Sequence, residues 1–270
     1  MRELKIYGTV FNNAEYIDAC LNSLKPLGRL DIYVVDNYST DGTVNNLFFS
    51  KWNGGYFNMH IYQKECTRGA GRQLAMEHLI SESDEDDLAF YIDFDTVYSD
   101  KFVKTILSRS KTIKDNELSI AMLGTVRTQK LAEWKDLNVG EDWERMVHFV
   151  SKGVKILEII TPDGSYGTNR NQDENPIKRE MYYSKSKIRL FKNLIDEHRG
   201  LAYKTWRGSA KHLTSITASY VAHLIALILG TYSHDKKLDN RELVLSKIGY
   251  RDISGHIGTY RDISGHKIGV

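Results

Sequence analysis

Two aspartates, Asp93 and Asp95, directly follow an apolar run at residues 88–92. Because side chains alternate along a strand, both carboxylates point the same way if extended backbone continues through Phe94. Two like charges beside an apolar strand repel each other and are costly to desolvate. A divalent cation removes both penalties, and oxygen-only ligands favour Mg²⁺ or Mn²⁺ over Zn²⁺. The alternative is that the pair caps a helix predicted over residues 96–107, and the two residues alone do not decide.

The elements around this pair alternate between strands and helices. Apolar runs predict four strands, over residues 4–11, 30–35, 57–63 and 88–92. Helical spacing and turn signals predict three intervening helices: one opened by residues 12–15 and ended at 25–26, one over 44–51, and one over 73–80 behind a glycine-rich turn at 67–72. This alternation predicts a parallel sheet with helices on both faces.

Polar residues follow each of these predicted strands. Asn12, Asp36, Arg68 and Asp93 occur after the first, second, third and fourth strand in turn. Ligands of parallel α/β sheets bind at the carboxyl ends of the strands. We therefore expect these four residues to surround one site, which is a stronger argument than any of them makes alone.

The composition is that of a globular protein, with 270 residues, 41% of them hydrophobic and 27% charged. This length suits one large domain, or one domain with an appendage. A net charge of +2 and a pI near 8.3 argue against a dedicated nucleic-acid-binding protein. With two cysteines and no stretch that resembles a secretory signal, we expect a cytoplasmic protein.

The second half of the chain is less regular. The pattern predicts a strand over residues 119–126, a helix from Gly140 through Lys152, and a strand over 155–160. Residues 161–175 are rich in Gly, Asn, Asp and Thr and predict a mobile loop. An amphipathic helix is predicted over residues 184–199.

Residues 216–232 are strongly apolar. As a helix they are about 25 Å long, short of the ~30 Å hydrocarbon core, so a membrane-spanning helix is not expected. A core helix, a homodimer interface and a peripheral membrane contact aided by the basic residues 178–192 stay open. Further on, residues 250–256 recur unchanged as 260–266, which fits a hairpin, an arm or a subunit contact.

Several ordered motifs resemble those of the family 2 inverting nucleotide-sugar glycosyltransferases, which have the GT-A fold. The motifs, in family order, are residues 9–12 with Glu15 following, 35–43, 69–73, 92–95, and 140–142 followed by 153–156. The resemblance covers roughly residues 4–160. The chain departs from the family pattern at Gln73, where Asn is usual, at Thr96, where a third Asp is common, and after about Arg199, where the family's C-terminal part is not recognisable.

The resemblance implies a GT-A (Rossmann-like) α/β fold, with a mixed, mostly parallel sheet flanked by helices. The GT-A domain would cover residues 1–200, and a helical C-terminal extension would cover 201–270. The implied donor is a nucleoside-diphosphate sugar, and the acceptor is an unidentified glycan, lipid or protein. The implied cofactor is a divalent cation, Mg²⁺ or Mn²⁺.

The resemblance also assigns roles to residues. Asp95 would be the direct metal ligand, and Asp93 would contact the ribose or the metal. The implied donor-binding residues are Thr9, Phe11, Asn12, Glu15, Asp36, Asn37, Arg68, Arg72 and Asp93. Arg72 would reach the diphosphate or brace Asp36; the alternative for Arg72 is a surface salt bridge.

The resemblance makes Asp142 the candidate general base. Inverting transfer needs a carboxylate that removes the acceptor proton as the hydroxyl oxygen attacks the anomeric carbon. The alternative is that Glu141 and Asp142 only complement the helix dipole, and both roles are compatible. Two other functions compete with the glycosyltransferase: a nucleotidyltransferase, which would usually carry a basic glycine-rich loop after the first strand, and a non-catalytic sugar-nucleotide-binding protein of the same fold.

Overall fold

The computed structural model describes residues 2–52, 55–138, 141–157 and 166–168, together with the helical positions Ile225 and Ile228. The chain divides into two compact units. The first consists of Met1–Trp134 and Lys152–Asn171, and the second of Lys135–Ser151 and Gln172–Val270. The predicted domain boundary near residue 200 lies outside the described residues and stays a prediction.

The described elements alternate between strands and helices as expected. The strands are β1 (Leu4–Val10), β2 (Leu30–Asp36), β3 (Phe57–Gln63), β4 (Leu88–Tyr91), β5 (Thr96–Tyr98), β6 (Glu117–Leu118), β7 (Gly124–Thr125), β8 (Lys155–Ile156) and β9 (Tyr166–Thr168). The helices are α1 (Ala14–Leu24), α2 (Thr43–Trp52), α3 (Arg68–Ser81), α4 (Asp100–Ser110), α5 (Val126–Gln129) and α6 (Glu141–Ser151). Two short 3₁₀ helices cover Lys25–Leu27 and Ile120–Met122.

The central sheet has five strands in the order β3-β2-β1-β4-β7. The first four are parallel, and β7 is antiparallel to β4. The main apolar core joins Ile6, Ile32 and Phe90 of the sheet to side chains of α1 and α4. Helix α3 packs against β1 and β2. The predicted mixed, mostly parallel sheet flanked by helices is confirmed.

Helix α3 begins earlier than the sequence predicts. Thr67 caps it by accepting a hydrogen bond from the Ala70 amide at 3.1 Å, so the supposed glycine-rich turn is the first turn of the helix. Gly71 is required by a close approach: a Cβ there would lie 2.5 Å from Thr9 Oγ1. The glycine therefore lets α3 lie against β1, and the prediction of a turn at 67–72 was wrong.

The segment after Asp95 also differs from its prediction. Residues 96–98 form strand β5, and the helix begins only at Asp100, capped by the Ser99 hydroxyl, which accepts from the Phe102 amide at 3.2 Å. The predicted helix is therefore present as α4, but residues 96–99 of the predicted range do not belong to it.

Residues 119–126 do not form one strand. They contain the 3₁₀ turn Ile120–Met122, in which Ala121 and Met122 have positive φ values of 53° and 52°, and then β7. All of these residues are buried, so their apolar character reports burial and not extended backbone.

The predicted loop at residues 161–175 contains a strand within its described part. Residues 166–168 form β9, which pairs antiparallel with β5, with Gly167 opposite Val97. Strand pairing uses backbone groups, so it does not need the apolar alternation that the segment lacks. The mobile-loop prediction is therefore wrong for these three residues, and the rest of the segment lies outside the described residues.

Other predictions fall mostly outside the described part of the chain. They concern residues 158–160, the helix at 184–199, most of residues 216–232, and the repeat at 250–266. Ile225 and Ile228 are helical, and Ile228 is 84% exposed. Among the described residues, no helix combines the length and apolarity that a membrane crossing requires. The cytoplasmic location and the role of residues 216–232 stay predictions.

Candidate active site

The carboxyl ends of β1, β2 and β4 meet at one edge of the sheet. Val10 lies opposite Asp36, and the Asn37 amide donates to the Val10 carbonyl at 2.9 Å. On the other side of β1, the Ile92 amide donates to the Tyr7 carbonyl at 3.0 Å. The parallel register thus brings the residues that follow these strands to a common edge of the first unit.

Asp36 ends β2 and is completely buried. Its two oxygens accept from the Ser39 amide at 3.3 and 3.0 Å, and Oδ2 also accepts from Gln63 Nε2 at 3.1 Å. Gln63 is the last residue of β3 and lies opposite Asp36 in the sheet. The carboxylate therefore joins the end of β3 to the loop that follows β2.

The loop after β2 is tied to the start of α1. Asn12, at φ 51°, donates its amide to Ser39 Oγ at 2.8 Å and accepts from the Thr40 amide at 2.9 Å. Asp41 accepts from the Ala14 amide at 3.1 Å and from the Thr43 hydroxyl at 2.6 Å. Although partial burial alone would raise the pKa of Asp41, these hydrogen bonds hold its pKa below the ordinary value.

The other predicted donor-binding residues surround this loop. Thr9 donates its hydroxyl to the Val35 carbonyl at 2.9 Å, and Asn37 Oδ1 accepts from the Cys66 amide at 3.1 Å. Phe11 is half-buried, whereas Glu15 in the first turn of α1 and Arg68 at the start of α3 are exposed. Thr9 and Asn37 thus form hydrogen bonds with backbone groups of neighbouring segments, while Glu15 and Arg68 are exposed to solvent.

Asp93 and Asp95 lie in the turn between β4 and β5. The Asp93 amide donates to the Tyr98 hydroxyl at 2.9 Å, and its carbonyl accepts from the Thr96 amide at 3.2 Å. The Asp93 side chain is 37% exposed, and Asp95 is half-buried. Because Ser99 caps α4, the alternative that the two aspartates are helix caps is wrong.

Arg72 contacts Asp93, not Asp36. Its Nη2 lies 2.5 Å from Asp93 Oδ1, and the Arg72 side chain is only 3% exposed. Its Cζ lies 4.8 Å from the ring centroid of Tyr91 and 4.8 Å from that of Trp134. The alternative of a surface salt bridge is therefore wrong, and so is the expectation that Arg72 braces Asp36.

Sequence reasoning missed Tyr91 and Trp134. Tyr91 was read only as part of an apolar strand, and Trp134 lies in a segment with no motif. Nothing in the spacing of these residues points to a shared site, because their meeting depends on how α3, β4 and the segment after α5 pack together.

The two carboxylates create a negative field inside the first unit. Cys20 of α1 lies beneath them, with Sγ 3.7 Å from the Asp93 carbonyl. Burial is the main cause that raises the pKa of the Cys20 thiol, and the negative charges of Asp95 and Asp93 raise it further. A cation bound by these carboxylates would relieve that unfavourable charge.

The donor set fits Mg²⁺ or Mn²⁺ completed by a ligand. No group of three or more His, Cys, Asp or Glu side chains arranged to hold a metal is present among the described residues. Mg²⁺ in enzymes is commonly held by one or two carboxylates, with water and substrate phosphates in the remaining positions. Two adjacent, partly exposed carboxylates match this pattern, whereas an all-protein metal site would need more ligands.

Asp142 lies in the second unit, near the start of α6. It is half-buried, whereas Glu141 and Glu144 are 1% and 0% exposed. Arg145 is also buried, with Cζ 4.7 Å from the Phe149 ring centroid. The predicted helix at this position is confirmed, and Asp142 is the most accessible of the three acidic residues in its first turn.

Comparison with known protein families decides the family. The model of glycosyl transferase family 2 matches residues 8–164, more than half of the chain. The chain belongs to glycosyltransferase family 2. The motif-based recognition is confirmed, and the family membership identifies a glycosyltransferase and not a nucleotidyltransferase. No curated protein sequence is a significant match to the chain.

Solved structures agree on the fold. The crystal structure of Staphylococcus aureus TarS is similar with a TM-score of 0.52 at 14% identity, over 82% of this chain and 48% of that chain. TarS residues 1–349 give a TM-score of 0.53 at 13% identity, over 91% of this chain and 83% of that chain. The chain thus spans about half of the length of the longer TarS chain. At these identities the likeness shows the GT-A fold alone.

Proposed function

We propose that this protein transfers a sugar from a nucleoside-diphosphate sugar to an acceptor hydroxyl, with inversion at the anomeric carbon. The observation that carries the proposal is the Asp93–Asp95 pair at the carboxyl edge of a family 2 sheet. These carboxylates do not cap a helix, and Asp93 pairs with a buried arginine. The acceptor is an unidentified glycan, lipid or protein.

Asp95 and Asp93 would hold a divalent cation, Mg²⁺ or Mn²⁺. When bound, the cation supplies Lewis-acid stabilisation of the negative charge that develops on the departing diphosphate. The family resemblance implies Asp95 as the direct ligand, while Asp93 pairs with Arg72.

The donor would lie along the carboxyl edge between the loops that follow β1 and β2. Phe11, Asn12 and Asn37 are partly accessible there, and exposed Arg68 adds positive charge at the start of α3, where the helix amides already favour anions. Buried Asp36 would support this wall through the Ser39 amide. Thr9 and Glu15 stay predicted donor contacts.

Asp142 would act as the general base that takes the acceptor proton. A base must reach its substrate, and Glu141 and Glu144 are buried while Asp142 is half-buried. Positioned proton transfer contributes ~10²–10⁴-fold to rate. We expect Asp142→Asn to keep donor affinity within a few fold and to lower transfer by ~10²-fold or more. Surviving transfer would reject Asp142 as the base.

The test of the whole proposal needs no knowledge of the acceptor. We expect Mn²⁺-dependent thermal stabilisation by at least one of a panel of sugar nucleotides, and slow hydrolysis of that same donor. Both effects should disappear in Asp95→Asn and persist in Asp100→Asn, a matched change at an exposed residue five positions on. A panel that stabilises the wild-type protein equally with and without metal, or not at all, would reject the metal-dependent transferase.

A further inference from the structure

The guanidinium of Arg72 is held between two aromatic rings. Its Cζ lies 4.8 Å from each ring centroid, of Tyr91 on β4 and of Trp134. The two rings also contact each other edge to face, with centroids 5.1 Å apart and an interplanar angle of 78°. We call these three residues the Arg72 clamp.

Trp134 is itself fixed from two directions. Its backbone amide donates to Gln73 Oε1 at 2.8 Å, and its indole Nε1 donates to the Tyr7 hydroxyl at 3.3 Å. Tyr7 in turn donates to Gln129 Oε1 at 3.3 Å, and Gln129 Nε2 donates to the Ala89 carbonyl at 3.0 Å. Trp134 is therefore anchored to α3, which carries Arg72, and to Tyr7 of β1. Through Tyr7 and Gln129 it is also linked to β4, which leads to Asp93.

The two partners of the Arg72–Asp93 ion pair differ in exposure. Arg72 is 3% exposed, but the carboxylate that it contacts is 37% exposed. Cation–π contacts are strongest when the cation is desolvated, so two such contacts hold the buried guanidinium in place. A buried cation thus holds one oxygen of a carboxylate whose remainder faces the candidate site.

We propose that Trp134 and Tyr91 are positioning residues for the cation site. By holding Arg72 they fix the Asp93 carboxylate in one orientation and reduce its repulsion from Asp95. This inference rests on the proposed function, because it assumes that these carboxylates bind the cation. Partners that orient metal ligands typically contribute 10–100-fold to metal affinity.

The first experiment measures Mn²⁺ affinity by electron paramagnetic resonance in the presence of UDP or GDP, in separate titrations. Trp134→Leu removes the ring and should weaken Mn²⁺ binding by about 10-fold or more. Trp134→Phe keeps a ring face over Arg72 and should stay within about threefold of the wild-type protein, since outer-shell losses begin near tenfold. Phe57→Leu is the matched control, because it removes a buried aromatic ring at the amino end of β3.

A second experiment tests the clamp without metal or nucleotide. In ¹⁵N spectra of arginine side chains, a clamped guanidinium rotates slowly and shows separate Nη signals. We expect separate Arg72 signals in the wild-type protein, in Trp134→Phe and in Phe57→Leu, and merged signals in Trp134→Leu.

The outcomes separate the inference from the function on which it rests. Unchanged Mn²⁺ affinity in Trp134→Leu would overturn the positioning role, as would an equal loss in Phe57→Leu. If the wild-type protein does not bind Mn²⁺ in the presence of UDP or of GDP but keeps separate Arg72 signals, the cation site is overturned. The clamp then remains as a structural feature only.

Discussion

Asp36 ends β2 and Asp93 follows β4 by two residues, at the same edge of the sheet, but the environments of the two aspartates differ. Asp36 is fully buried and accepts three hydrogen-bond contacts from Ser39 and Gln63. Asp93 is partly exposed, and a buried guanidinium pairs with one of its oxygens. The first carboxylate organises a loop, whereas the second presents charge to the site.

This difference shows that a position at the carboxyl end of a strand does not by itself assign a role. The Ser39 backbone amide and the Gln63 side-chain amide donate to Asp36 within the protein. Asp93 and Asp95 concentrate negative charge strongly enough to act on the Cys20 thiol. A carboxylate satisfied by neutral donors is suited to structure, and two partly exposed carboxylates in one turn are suited to bind a cation.

The largest effect is expected at Asp95. Asp95→Ala should lower Mn²⁺-promoted binding of a nucleoside diphosphate by ~100-fold or more, because a metal contact stabilises charge by several kcal/mol. Calorimetric titration of UDP or GDP with and without Mn²⁺ measures this, with Asp100→Ala as control. Metal-promoted binding that survives the change would break the contrast between the two strand ends.

At Asp36 we expect a substitution to lower folding stability, whereas at Asp95 we expect it to lower metal-promoted binding. Asp36→Asn places an amide where donors from Ser39 and Gln63 converge, and this should lower the free energy of unfolding by about 1–3 kcal/mol. Urea unfolding measures the loss. A variant with wild-type stability that has lost only nucleotide binding would instead make Asp36 a direct ligand contact.

Acid should weaken the loop after β2 through Asp41. Its folded-state pKa lies below the ordinary value of 3.8, so its contribution is fully present above that pH and is lost as the pH falls through the folded-state pKa. We expect Asp41→Asn to flatten the dependence of stability on pH below 3.8. Thermal unfolding in a series of acidic buffers tests this, and an unchanged slope would show that other carboxylates carry the effect.

The smallest expected effect is at Tyr38, in the same loop. Tyr38 is 57% exposed and has a φ of 52°, a left-handed conformation that Asn adopts more readily than Tyr. Tyr38→Asn should raise the free energy of unfolding by less than about 1 kcal/mol, a fraction of the penalty of this conformation. Chemical denaturation measures the change, and a clear loss of stability would mean that the tyrosine ring makes a stabilising contact.

Much of the fold could be predicted from local pattern. The apolar runs located each end of β1, β2, β3 and β4 to within one residue. Strands β1, β2 and β4 are buried along nearly all of their length, and such strands need continuous apolar sequence. The ordered motifs identified the family, and strand alternation placed the aspartates at the correct edge. The backbone predictions failed at residues 67–72, 96–98, 119–126 and 166–168, where neither turn signals nor a clear apolar period fixed the backbone conformation.

By itself, the sequence determined the family, the parallel sheet and the chemical types at its carboxyl edge, since these follow from periodicity and motif order. Only the tertiary structure decided that Arg72 pairs with Asp93 and that Trp134 reaches the site. Arg72 lies 21 positions before Asp93 and 62 positions before Trp134 in the sequence. Such pairings depend on how elements pack, and no local pattern encodes them.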